Sequence, residues 1–139
     1  MDGNLDLLPT DAYGTPSRWL LVFRRRADVW WVNYCPGEFK HVSAFGYVHE
    51  TDAWIFYDAG LCTTIYVARG TSARAMMLQR TRGDVCVLSM EPLPCPSSPR
   101  RPIFTCTAAI ANLLAIPTIA LRPDALYKAC IKNGATVIQ

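Results

Sequence analysis

The stretch Phe39–Gly60, FKHVSAFGYVHETDAWIFYDAG, decides how the chain is read. Two runs rich in aromatic and β-branched residues, Phe39–Val48 and Ala53–Asp58, flank the polar tetrad His49-Glu50-Thr51-Asp52, which is the composition of a hairpin. With the turn at the tetrad, Val48 faces Ala53 and paired residue numbers sum to about 101 along the ladder, so Ser43 stands opposite Asp58. Strand side chains alternate, so His41 shares a face with Ser43 and Asp58 lies diagonally from it on that face. An imidazole beside a carboxylate is the base-and-orienter half of a nucleophilic triad. A one-residue slip in register would send the two groups to opposite faces. Two plainer readings stand beside this one: a strand histidine is often a satisfied structural residue, and an aspartate before Ala59-Gly60 suits simple turn chemistry.

Upstream of the hairpin, Trp19–Phe23 and Val29–Tyr34 read as further strands, and downstream Thr63–Val67 and Val85–Ser89 do the same. Short connections make this an antiparallel meander. Ser72–Arg82 is open between a short helix, suited by Ala73, Ala75, Met76 and Leu78, and an edge strand, suited by its flanking arginines. Residues Met1–Ser17 are polar and turn-rich and read as a loose arm ahead of a single domain over 18–139. Glu91–Pro102 carries Pro92, Pro94, Pro96, Pro99 and Pro102, which forbid regular structure and predict an extended surface connection. Beyond it the texture becomes helical. Thr105 is a candidate cap, Ala109, Ile110, Leu113 and Leu114 recur at helical spacing up to Pro117, and a second helix runs from Pro123-Asp124 to Gly134. The fold class expected is α+β: an antiparallel sheet of about five to six strands followed by a two-helix C-terminal part.

Cys106, one residue past the candidate cap, is placed where the partial positive charge and free N–H groups of a first helical turn favour a thiolate and can receive an oxyanion. The plain alternative is a small buried hydrophobe. Of the two histidines, His49 falls in the polar turn, a surface position, so His41 is the candidate base.

Composition bounds the rest. The chain has 139 residues, 51% of them hydrophobic, enough for one packed core rather than disorder. A net charge of +3 gives at most a mild preference for acidic partners, and the run Arg24–Arg26 reads as a solvated turn rather than a nucleic-acid contact. The six cysteines (Cys35, Cys62, Cys86, Cys95, Cys106 and Cys130) form no Cys-x-x-Cys pair, which argues against zinc, and no cofactor motif is visible. The opening segment lacks a secretory pattern, so reduced thiols are expected. The longest apolar stretch, Cys106–Leu121, is short for a bilayer and interrupted by Asn112 and Pro117, so no membrane span is expected.

The order of strand histidine, neighbouring-strand aspartate and late helix-opening cysteine resembles the circularly permuted branch of the papain-like and NlpC-like cysteine hydrolases. FKHVSAFGYVHETDAWIFYDAG, FTCTAAIANLLAI and RPDALYKACIKNGA look like a poorly characterised phage-encoded group of that type, over roughly Phe39 to Ala135. The resemblance implies Cys106 as nucleophile, His41 as base and Asp58 as orienting residue of a thiol hydrolase or acyl-transfer enzyme acting on a peptide-like or acyl substrate. The Asn-Cys-Glu-His-Phe and Asp-Cys-Ser-Gly signatures of two better-known branches are absent, so neither branch's substrate carries over. The alternative is a catalytically silent module that docks to phage structural proteins in a virion or tail. Either way the expected setting is the host cytoplasm or the virion.

Overall fold

A computed structural model of the chain describes residues 16–59, 63–94, 105–116 and 122–139. Six antiparallel strands form one sheet: β1 Trp19–Arg24, β2 His41–Val48, β3 Ala53–Ala59, β4 Thr63–Ala68, β5 Val85–Met90 and β6 Thr136–Val137. Their spatial order is β4-β3-β2-β1-β5-β6. Strands β1 to β4 are the expected meander. Helix α1, Gly70–Arg80, then carries the chain to the far side of β1, where β5 pairs. Helices α2, Cys106–Leu113, and α3, Pro123–Lys132, follow. The α+β class is as expected.

Alternation along the strands separates two cores. On one face Leu21, Phe23, Val42, Leu88 and Met90 meet Ile110, Leu114 and Leu126 of the C-terminal helical part. On the other, Val22, Phe45, Phe56 and Val87 meet Met76 and Met77 of α1. Strand β5 serves both and is buried at every position. Ile110, Leu114 and Leu126 are fully buried, and each contributes about 1.5–3 kcal/mol of hydrophobic stabilisation. That burial fixes α2 against β2, and so fixes where Cys106 stands.

Four local readings change. Val29–Tyr34 is not a strand: Trp30–Tyr34 is a 3-10 helix with no buried residue, so its aromatics lack the sheet neighbours that would reward an extended chain. Ser72–Arg82 resolves as helix α1, which lays Met76 and Met77 on the sheet. Helix α2 stops at Leu113, ahead of Pro117, because Ala115 turns left-handed at φ 54°. The short strand β6 was not foreseen; its two exposed residues carry no alternation to read. The remaining strands agree with expectation to within two residues at either end. Of the expected arm, residues 1–15 lie outside the described residues, while Pro16 is buried against Gly46, where a Cβ would come 2.6 Å from the proline Cβ. Of the proline-rich connection, residues 95–102 lie outside, and Leu93 N donates to Leu114 O at 3.0 Å. Among the described residues no helix is long and apolar enough to cross a membrane.

A clamp between α3 and the approach to β2 sets the entry to the site. Asp124 accepts the backbone N–H groups of Glu38 and Phe39, both at 2.8 Å. Gly37 makes room for it: its φ is +116°, and a Cβ there would come 2.2 Å from Asp124 Oδ2. Gly37→Ala is therefore expected to lose about 2 kcal/mol or more, from left-handed strain plus a broken clamp, read as a lowered urea midpoint.

Candidate active site

The site lies at one end of the sheet, where the first residue of β2, the penultimate residue of β3, the last of α1 and the first of α2 converge. The β2–β3 ladder pairs Val48 with Ala53 and Ala44 with Tyr57, the register read from the turn. Beyond the last pair, His41 and Asp58 meet diagonally, with His41 Nε2 2.6 Å from Asp58 Oδ1. The ring's other nitrogen is left free of Asp58, and the sulfur of Cys106 lies near enough for the two groups to influence each other's titration.

Cys106 stands at the first position of α2. Thr105 caps the helix, its Oγ1 accepting the Ala108 N–H at 3.1 Å, so the cap holds without the reciprocal glutamate of a capping box. The Ala109 N–H is taken by Thr105 O. The N–H groups of Cys106 and Thr107 come before Ala109, the first intrahelical donor, and are the first-turn donors for an anion.

Asp58 has a second partner that the sequence did not announce. Arg80, the last residue of α1, donates from Nη1 to Asp58 Oδ2 at 2.6 Å. Arg24, opposite His41 in the β1–β2 register, in turn donates to Arg80 O at 2.7 Å and caps the end of α1. The carboxylate is thus gripped at both oxygens, with side chains of Asp58 and Arg80 only 23% and 20% exposed. No local signal marks Arg80, because its meeting with Asp58 depends on how α1 crosses the sheet. Thr107 was also unremarked. It is fully buried, and its Oγ1 has no hydrogen-bond partner among the described residues, so its nearness to the sulfur is at most a weak support for the thiolate.

The electrostatics follow from these contacts. Burial disfavours a charged His41, yet hydrogen bonds to Asp58 and Cys106 and the charges on both raise it to about 9. Burial likewise opposes a thiolate at Cys106, but the His41 hydrogen bond and charge, aided by the Val42 backbone, bring the thiol below its usual value. Against its own burial, Asp58 is held below the ordinary carboxylate range by His41 and Arg80. Both shifts run toward an imidazolium–thiolate pair. Cys130 makes the contrast: buried in the core without such a partner, its thiol is pushed up to about 12.

The pair has a pH signature. Taken alone, the raised His41 contributes stability below its unfolded value of 6.5 and loses it as pH rises through about 9. The lowered Cys106 does the opposite, gaining stability up to its unfolded value of 9.0. Wherever His41 is charged and Cys106 ionised in the folded chain, the two slopes oppose each other. Cys106→Ser removes one slope and leaves Asp58 raising His41. The stability difference between the native chain and this variant is therefore expected to widen as pH climbs from 6.5 toward 9, measured by urea unfolding at fixed pH steps.

A cleft of about 960 Å³ opens on His41, Asp58 and Cys106, within the size range of small-molecule and peptide sites. His49 is exposed in its turn, its ring edge-on to Tyr47. Cys35, Cys86, Cys106 and Cys130 are free thiols, while Cys62 and Cys95 lie outside the described residues. Nowhere among the described residues do three histidines, cysteines or carboxylates gather as a metal would require. What the fold and site define is an α+β domain with a cysteine–histidine–aspartate constellation in a cleft. No protein-family model, curated protein or solved structure matches the chain.

Proposed function

We propose that this chain is a cysteine hydrolase or acyl-transfer enzyme on a permuted papain-like scaffold. The supporting observation is that Cys106, opening α2, shares one cleft with His41 and Asp58, whose imidazole and carboxylate meet at 2.6 Å. Histidine strand before cysteine helix is the order expected of a permuted member. In the first step the Cys106 thiolate attacks an amide or ester carbonyl, forming the C–S bond, and the carbonyl oxygen becomes an oxyanion received by the N–H groups of Cys106 and Thr107. As the tetrahedral species collapses, the bond to the leaving amine or alkoxide breaks and His41 gives its proton to that group. His41, now neutral, takes a proton from water, which attacks the thioester and frees Cys106; an incoming amine or alcohol in place of water makes the same chemistry a transfer. Asp58, fixed by Arg80, orients the ring and balances its charge.

The test is the pH dependence of Cys106 alkylation by iodoacetamide. An activated pair reacts at a plateau rate through neutral pH. A titration at the ordinary thiol value of about 8.5 would rule the enzyme out. It would instead favour a silent docking module, a reading supported by Trp30 and Tyr34, which stand 73% and 83% exposed on the 3-10 helix.

A further inference from the structure

Five cationic side chains line the cleft that holds Cys106: Arg24, Arg26, Lys40, Arg80 and Arg122. Among the described residues only two carboxylates line it with them, Asp28 and Asp58. The described lining residues thus carry a surplus of three positive charges. Apart from Asp28, which forms no ion pair among the described residues, nearby acids are committed elsewhere. Asp58 is spent on Arg80 and His41, Glu38 pairs with Arg25 at 2.8 Å, and Asp124 is occupied by two backbone N–H groups. By contrast, among the described residues Arg26, Lys40 and Arg122 form no ion pair; Lys40 reaches the backbone carbonyls of Cys35 and, at 2.6 Å, Gly37, and Arg122 that of Pro36 at 3.5 Å. The N-termini of both α2 and α3 border the same space, through Thr105–Thr107 and Arg122–Pro123, and add partial positive charge.

We infer that the acyl substrate taken at Cys106 carries an anionic group, carboxylate or phosphate, close to the carbonyl under attack, and that Arg26, Lys40 and Arg122 receive it. The inference rests on the acyl-transfer reading above and supplies its substrate class. A low-dielectric concavity concentrates the field of unpaired cations, so one negative charge on a ligand is favoured there about tenfold over a neutral isostere. A nucleic-acid strand is the weaker fit. Arg24 is bound to the end of α1, and Arg25 to Glu38 and Asp84, so of the three-arginine run only Arg26 is left to face a phosphate chain.

The experiment compares four chloroacetyl amino-acid amides, of glutamate, phosphoserine, glutamine and lysine, whose shared electrophile loses chloride to the Cys106 sulfur. Second-order rates of Cys106 modification are read by peptide mass mapping. The glutamate probe is expected to react about tenfold faster than the glutamine probe and the lysine probe slower than both; the phosphoserine arm tells phosphate from carboxylate preference. In the Arg26→Ala/Arg122→Ala double variant, or at high salt, the glutamate-to-glutamine ratio is expected to fall toward one. The ratio should persist in Arg74→Ala, an exposed arginine on α1 outside the cleft. Equal rates for glutamate and glutamine, a preference for lysine, or a ratio untouched by the double variant would overturn the inference. These outcomes are separable from failure of the enzyme reading: an ordinary thiol titration with the charge ratio intact sinks catalysis alone, and a neutral-pH plateau with a ratio of one sinks the anionic substrate alone.

Discussion

His41→Ala is expected to slow alkylation of Cys106 at pH 6 by about 30- to 100-fold and to move the reaction's titration up to the ordinary thiol range or beyond. At that pH an unassisted thiol near pKa 8.5 is only about 0.3% thiolate. In the native chain the imidazolium, its pKa raised to about 9 by Asp58 and Cys106 together, draws the thiol below its ordinary value despite its burial. Removing the ring leaves the burial without the compensation, so the thiol rises. Part of the loss is returned, because a more basic thiolate is the better nucleophile by about 0.4–0.5 log units per pKa unit, which is why the expected drop is smaller than the change in ionised fraction. His41→Gln separates charge from hydrogen bonding. It keeps polar atoms near Asp58 and the sulfur but carries no proton to exchange, and it should react like the alanine variant. Native-like circular dichroism in both variants would assign the change to the site. A rate at pH 6 within a factor of two of native would mean that His41 does not activate the sulfur.

Much of this site was legible because it is local. The hairpin register follows from the polar tetrad between two β-branched runs, and once register is set, alternation alone puts Asp58 on the face of His41. The cysteine's place on α2 follows from Thr105, whose hydroxyl needs only the next turn to make its cap. What escaped was either long-range or compositionally misleading. Arg80 reaches Asp58 only because α1 crosses the sheet, a packing outcome that no window around Arg80 encodes. WWVNY has the composition of a strand, but β-propensity rewards a half-buried pleated surface, and here there is none. Helix α1 was ambiguous because its apolar side is thin: Ala73 is its one buried residue, and Met76 and Met77 do the packing. Strand β6 is defined by its partners Leu88 and Ser89 more than by its own sequence.

Cys106→Ala is expected to abolish the burst of nitrophenolate that the native chain gives with p-nitrophenyl acetate. This ester asks little of substrate recognition, so it isolates the acylation step. The thiolate attacks the acetyl carbon, the C–S bond forms, and nitrophenolate departs with its electron pair, one equivalent per chain before the slower attack of water on the thioester. Without the sulfur no such intermediate exists, and the remaining rate should be that of solvent and oxyanion donors, lower by about 10³-fold or more. Cys106→Ser is the sharper case. The hydroxyl is far less acidic than the thiol, so no oxyanion preforms beside His41 and the burst should vanish as in the alanine variant. Cys35 is exposed in the same cleft and is the background thiol to exclude; Cys35→Ser should retain the burst in full. If the burst instead followed Cys35, or survived in Cys106→Ala, the acyl group would be landing elsewhere, and the alignment of helix, imidazole and carboxylate would be architecture without chemistry.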